Sequence, residues 1–205
     1  MTSETILLLA AVMAATAPMA CAQGGARNLF PQLGPEERTG VVTHGGRPLT
    51  LLGPELKVGD KAPDVILTRG DLTDVHMSDF AGKVLLVSAV PSLDTKVCDL
   101  ETRRFNEAAA KLPGVTILTV SMDLPFAQAR WCGAHDIKNV TTLSDYKTQD
   151  FGRAYGVLIK ETRLLARTIF VIGNSGRIVY IQRVADITRE PDYDAALASA
   201  EAAAM

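Results

Sequence analysis

Apolar residues follow two patterns along this chain: unbroken runs, and runs interrupted by charges at helical spacing. "KVLLVSAV" (Lys83 to Val90) and "VTILTVSM" (Val115 to Met122) are unbroken, which predicts strands buried on both faces of a sheet. Between them, "DLETRRFNEAAAKL" (Asp99 to Leu112) sets Leu100, Phe105, Ala109 and Leu112 among charges, with Gly114 as a stop signal; this predicts a helix. Strand, helix, strand implies a βαβ crossover and a parallel pair. "PFAQARWCGAHDI" (Pro125 to Ile137) predicts a second helix with proline in its first turn, and "QDFGRAYGV" (Gln149 to Val157) a shorter one. Hairpins are expected in "GVVTHGGRPLTLLG" (Gly40 to Gly53) and around "GNSG" within Ala166 to Val184. A further strand pair, Val65–Thr68 and Thr73–Met77, turns through "RGD" with Gly70 at the turn. "EPDYDAALASAEAAA" closes the chain as a helix with Pro191 at its start. With no internal repeat, the order gives a single α/β sandwich, residues 40–205.

The 205 residues are 47% apolar and 21% charged, ordinary globular usage. A net charge of -2 leaves no basic surface that would suggest a nucleic acid partner. Upstream, "ILLLAAVMAATAPMA" (Ile6 to Ala20) followed by "ACA" reads as a signal peptide over residues 1–22, hence export to the periplasm. Cys21 is a second possibility there, as a lipidated membrane tether, and retention in the cytoplasm is the alternative to export. Residues 23–39, rich in Gly and Pro, read as a linker.

Cleavage after Ala22 leaves two cysteines, Cys98 and Cys132. Pro91 breaks the first buried strand, and Thr95 is a good helix N-cap, which sets Cys98 in the first helical turn. The amides of that turn stabilise a thiolate; Lys96 supports the charge, whereas Asp94 and Asp99 oppose it. A nucleophile at the carboxyl end of a parallel strand sits where open α/β sheets bind ligands. Cys132 lies 34 positions on. The pair suits a structural staple worth about 3–4 kcal/mol, thiol-disulfide exchange, or redox cycling through a sulfenic acid, and spacing alone does not choose. His44, His76 and His135 are scattered, and Cys132 with His135 is too small a set for zinc. No C-x-x-C, G-x-G-x-x-G or P-loop occurs.

"PSLDTKVCDLETRRFNEAAAKL" and "SMDLPFAQARWCGAHDIKNVTTLSD", with "RTIFVIGNSGRIVYIQ" and "REPDYDAAL", resemble the thiol peroxidases, the atypical two-cysteine peroxiredoxins of bacteria. The resemblance spans roughly Gly40 to Ala200. It implies a thioredoxin-like fold, a mixed sheet flanked by helices with an N-terminal β-hairpin. It also implies reduction of hydrogen peroxide and organic hydroperoxides. By position, Cys98 matches the peroxidatic cysteine and Cys132 the resolving one, joined in an intramolecular disulfide after oxidation. Thr95 matches the threonine that bonds the thiolate, Pro91 the proline that screens it, and Arg167 the arginine that completes the pocket. A homodimer, a thioredoxin-like dithiol reductant and independence of metal, flavin or haem follow from the same resemblance. The export segment departs from the family's cytoplasmic habit, so a periplasmic dithiol carrier is the expected reductant.

Overall fold

The computed structural model describes residues 36–205. The expected signal peptide, Cys21 and most of the expected linker lie outside the described residues. No helix among the described residues is long and apolar enough to cross a membrane.

The two unbroken apolar runs form the centre of a seven-stranded sheet. β5 (Val84–Ala89) and β6 (Val115–Ser121) pair in parallel, and β7 (Val140–Ser144) continues the parallel set. β9 (Thr168–Ile172) flanks β5 antiparallel and carries β10 (Ile178–Arg183), while β3 (Ile66–Thr68) and β4 (Asp74–His76) close the other edge. Successive side chains of a strand point to opposite faces. Val84 and Leu86 therefore meet Phe105 of α1 (Lys96–Ala109) and Ala196 and Ala200 of α4 (Tyr193–Ala204). Leu85, Val87 and Ala89 enter a second cluster with Phe151 and Tyr155. Burial on both faces is why these strands show no alternation. The second cluster also includes Val42, Leu49 and Leu51 of the N-terminal hairpin, β1 (Glu37–His44) and β2 (Arg47–Leu52). That hairpin forms a separate three-stranded sheet with β8 (Leu158–Ile159).

Several boundaries differ from the sequence expectation, each for a local reason. β1 begins at Glu37, three residues inside the expected linker, because Arg38 donates to the carbonyls of Gly53 and Gly156 and anchors the strand. α2 (Pro125–Ala134) stops before Ile137, since Asp136 takes a left-handed conformation at φ +53°. α3 (Asp150–Ala154) is shorter than expected. α4 is capped by Asp192, whose carboxylate accepts from the Ala195 amide, so Pro191 precedes the helix. In the "RGD" turn the left-handed residue is Leu72, at φ +69°. Gly70 serves instead to let α2 approach, as a Cβ there would lie 3.3 Å from that of Ala129.

Two close approaches tie the end of β2 to the residues after α3. Gly53 and Gly156 have φ of +103° and +64°, and a Cβ on either would come within 1.9 Å of a backbone oxygen, of Arg153 and of Pro54 respectively. A left-handed non-glycine costs about 1–2 kcal/mol and overpacking about 1–3 more. Gly156→Ala is therefore expected to lower stability by roughly 2–5 kcal/mol in urea denaturation; an unchanged midpoint would contradict this packing.

Candidate active site

β5 delivers the chain to the site and ends there. Pro91 is buried just beyond the strand, and the loop that follows is held by Asp123, beyond the end of β6. Its carboxylate accepts from Ser92 Oγ at 2.7 Å, the Leu93 amide at 2.8 Å and Ser121 Oγ at 2.8 Å. Gln128 of α2 braces the same corner by donating to Ser121 Oγ and the Leu143 carbonyl, each at 2.9 Å. The loop thus runs into α1 with Thr95 in extended backbone as its N-cap and Cys98 in the first turn.

Thr95 occupies the N-cap position, yet its side chain does not cap. Its Oγ1 lies 2.8 Å from Cys98 Sγ and 3.1 Å from the Ser92 carbonyl, so its proton is directed at the sulfur or at that oxygen. Arg167, just before β9, directs Nη2 at the same sulfur from 3.2 Å. A hydroxyl and a guanidinium aimed at one sulfur complement a thiolate. Lys96 is exposed and makes no such contact. Asp99 turns away, pairing with Arg103 and His135 at 3.2 Å each.

Arg167 is only 1% exposed, and a buried charge needs a partner. Glu101, fully buried on α1, accepts from Arg167 Nη1 and from Ser88 Oγ of β5, the latter at 2.6 Å. The Ile187 carbonyl accepts from Arg167 Nε at 3.1 Å. Burial pushes the Glu101 carboxyl up, with Arg167 and Ser88 acting against that rise. Burial alone would lower Arg167, but Glu101 and Cys98 hold it above the ordinary guanidinium value. Three of the five guanidinium N–H groups are engaged by Ile187, Glu101 and Cys98, which leaves two without a partner among the described residues.

Cys98 is wholly buried and Cys132 half-buried, and both are free thiols. Cys132 packs against the small cluster of Val90, Leu93, Cys98 and Trp131, with its sulfur 3.5 Å from Thr142 Oγ1. Burial pushes the Cys132 thiol up. A cavity of about 390 Å³ opens beside the site, lined by Pro91, Thr95 and Arg167 together with apolar Leu49, Leu164 and Ile187. Thr95 and Arg167 thus border both this cavity and the sulfur. All five candidate residues of the sequence reading lie in this corner of the fold. Glu101, Ser88 and Asp123 were missed. Glu101 looked like one of the outward charges of α1, and Ser88 like a small residue in an apolar strand.

Residues 57–197 match the Redoxin family model. The thiol peroxidase of Halalkalibacterium halodurans is 52% identical over 162 residues, 79% of this chain and 98% of that protein. The thiol peroxidase of Bacillus subtilis is 51% identical over 161 residues, 78% of this chain and 96% of that one. Among solved structures, a peroxiredoxin-like protein from Aquifex aeolicus aligns with a TM-score of 0.76 at 44% identity, covering 81% of this chain and 97% of its own.

Removing one member of a buried ion pair strands the other, at about 3–5 kcal/mol, whereas replacing both with apolar groups is often near neutral. Glu101→Leu and Arg167→Met are each expected to lower stability by about that amount. The double variant should recover most of the loss in urea denaturation. Additive losses would show that the two side chains are not coupled.

Proposed function

The chain belongs to the redoxin family and, within it, to the thiol peroxidases, and we propose that Cys98 is its peroxidatic residue and Cys132 its resolving one. The observation that carries this reading is the convergence of Thr95 and Arg167 on the buried Cys98 sulfur. The thiolate attacks one oxygen of the O–O bond, which breaks. Sulfur becomes a sulfenic acid, and the other oxygen departs, takes up a proton and leaves as water or an alcohol. Negative charge grows on that departing oxygen, and preorganised donors in a dry pocket stabilise it best. Arg167, with two N–H groups to spare, and the Thr95 hydroxyl are those donors; Pro91 keeps water from the sulfur.

Cys132 then attacks the sulfenic sulfur, an S–S bond forms and water leaves. A thioredoxin-like dithiol restores both thiols and is itself oxidised. The scheme draws its electrons from thiols throughout and uses no metal, flavin or haem. The apolar segment before Ala22 supports export, which would make the reductant a periplasmic dithiol carrier, and the family resemblance supports a homodimer. Besides hydrogen peroxide, the apolar lining of the cavity at Leu49, Leu164 and Ile187 supports organic hydroperoxides as substrates.

Stopped-flow measurement of Cys98 oxidation by hydrogen peroxide and by cumene hydroperoxide tests the reading. Thr95→Val and Arg167→Met should each slow the second-order step about 10²–10³-fold, the usual effect of losing one such donor. Unchanged rates in both variants would contradict it. The resolving step should show a separate pH dependence. The thiolate is the attacking species, and burial raises the Cys132 thiol above its ordinary value. Its thiolate fraction at neutral pH is therefore small and grows as pH rises. Disulfide formation is accordingly expected to accelerate steadily from about pH 6 to about pH 9; a plateau below about pH 8 would mean that the site lowers the Cys132 thiol instead of raising it.

A further inference from the structure

His135 follows α2 with both ring nitrogens set against acceptors. Nδ1 lies 2.9 Å from the Trp131 carbonyl oxygen, and Nε2 lies 3.2 Å from Asp99 Oδ1. Carbonyl and carboxylate oxygens only accept, so both contacts are favourable only in the form that carries protons on both nitrogens. Either neutral tautomer leaves one nitrogen lone pair facing an oxygen lone pair. Asp99 Oδ1 is shielded from solvent and accepts a hydrogen bond from no described residue, His135 included, so the contact at Nε2 is one of charge alone and no neighbour stands in for it. Stacking on Trp131, with centroids 4.7 Å apart, holds the ring in this orientation.

The contact joins the two cysteine-bearing segments. Asp99 follows Cys98 in the first turn of α1, and His135 lies one turn beyond Cys132. In the reduced chain the Cys98 sulfur is held by Thr95 and Arg167, and the Cys132 sulfur lies against Thr142. A turn of the Cys132 segment relative to α1 that brought the two sulfurs together would have to part His135 from Asp99. We infer that His135 is a positioning residue for the resolving step: as the imidazolium it clamps the end of α2 to the first turn of α1 and slows Cys132, and as the neutral ring it releases that turn. This rests on the assignment of Cys98 and Cys132 proposed above. The step it governs is condensation of the Cys98 sulfenic acid with the Cys132 thiol to a disulfide and water, with no further oxidant.

Around the ring, Asp99 is shared with Arg103, and Asp136 and Lys138 pair with each other at 2.7 Å. Histidine is the side chain type whose charge ordinarily changes near neutral pH, and burial pushes the Cys132 thiol up.

The test uses the full-length reduced chain, its His135→Gln variant and its Asp99→Asn variant, each mixed with stoichiometric hydrogen peroxide between about pH 5.5 and about pH 8. Alkylation at set times, followed by mass spectrometry, separates loss of the Cys98 thiol from appearance of the disulfide. Dividing the disulfide rate of His135→Gln by that of the unaltered chain cancels the thiolate fraction of Cys132. That ratio should be about two- to five-fold at the acidic end, as for a partly exposed ion pair, and fall to one at the alkaline end. Asp99→Asn should follow the same trend, while Cys98 oxidation in His135→Gln stays unchanged. A ratio of one throughout, or one independent of pH, would overturn the clamp. If Cys98 did not react with peroxide, the peroxidase reading would fail by itself. The clamp would then be read in the reduced chain from the alkylation rate of Cys132. Faster labelling of His135→Gln at acidic pH alone would sustain it, and equal labelling would overturn it.

Discussion

A guanidinium that is 1% exposed needs a counter-charge, and the pairing of Arg167 with Glu101 is the constraint on which the site depends. Glu101 is itself fixed by Ser88 on the central strand β5. The cationic fork is therefore registered to the middle of the sheet rather than to a surface loop. Its remaining nitrogens meet the Ile187 carbonyl and the Cys98 sulfur. Such a pair adds little net stability compared with apolar packing. What it supplies is a charge held in place before any substrate arrives, the condition under which a fixed donor lowers a barrier most.

The rest of the fold serves that arrangement from two sides. On one, Asp123 collects three donors and sets the loop that carries Pro91 into α1, so that Thr95 and Cys98 arrive in a fixed geometry. On the other, the N-terminal hairpin is stitched to the segment that contacts Arg167. Thr43 donates its amide to the Ala185 carbonyl, the Ile187 amide donates to Thr43, and Asp186 accepts from the amides of Gly45 and Gly46. Backbone donors from Thr188, Gly45 and Gly46, with the Thr188 hydroxyl, hold the Asp186 carboxyl well below the usual carboxylate range. The hairpin is thus part of the mounting for Arg167, and its apolar face also lines the cavity through Leu49.

The parts of this architecture legible in the sequence are the local ones. Pro91, Thr95 and Cys98 fall within eight consecutive positions, and the logic of a strand ending in a capped helix is contained in that stretch. The unbroken runs of β5 and β6 announced strands buried on both faces. β7 and β8 went unread: "VTTLS" places two half-buried threonines at its centre, and β8 is two residues long, paired with Leu51 and Leu52 of β2. Arg167 entered through resemblance alone, because its partners Cys98 and Glu101 lie 69 and 66 positions away. Glu101 could not be told from its charged neighbours on α1, since what distinguishes it is a tertiary partner. Thr95 takes the N-cap position that its sequence context predicts, but its hydroxyl lies against the sulfur and the Ser92 carbonyl and does not cap the helix.

The central claim is that this buried sulfur, complemented by Thr95 and Arg167, is the group that reacts with peroxide. The most direct measurement traps the oxidised sulfur. A Cys132→Ser chain is mixed with one equivalent of hydrogen peroxide in the presence of a dione that captures sulfenic acid, and the modified residue is then located by mass spectrometry. The account predicts near-complete labelling at Cys98, formed far faster than on free cysteine in the same buffer. Labelling no faster than free cysteine, or its absence from Cys98, would contradict it.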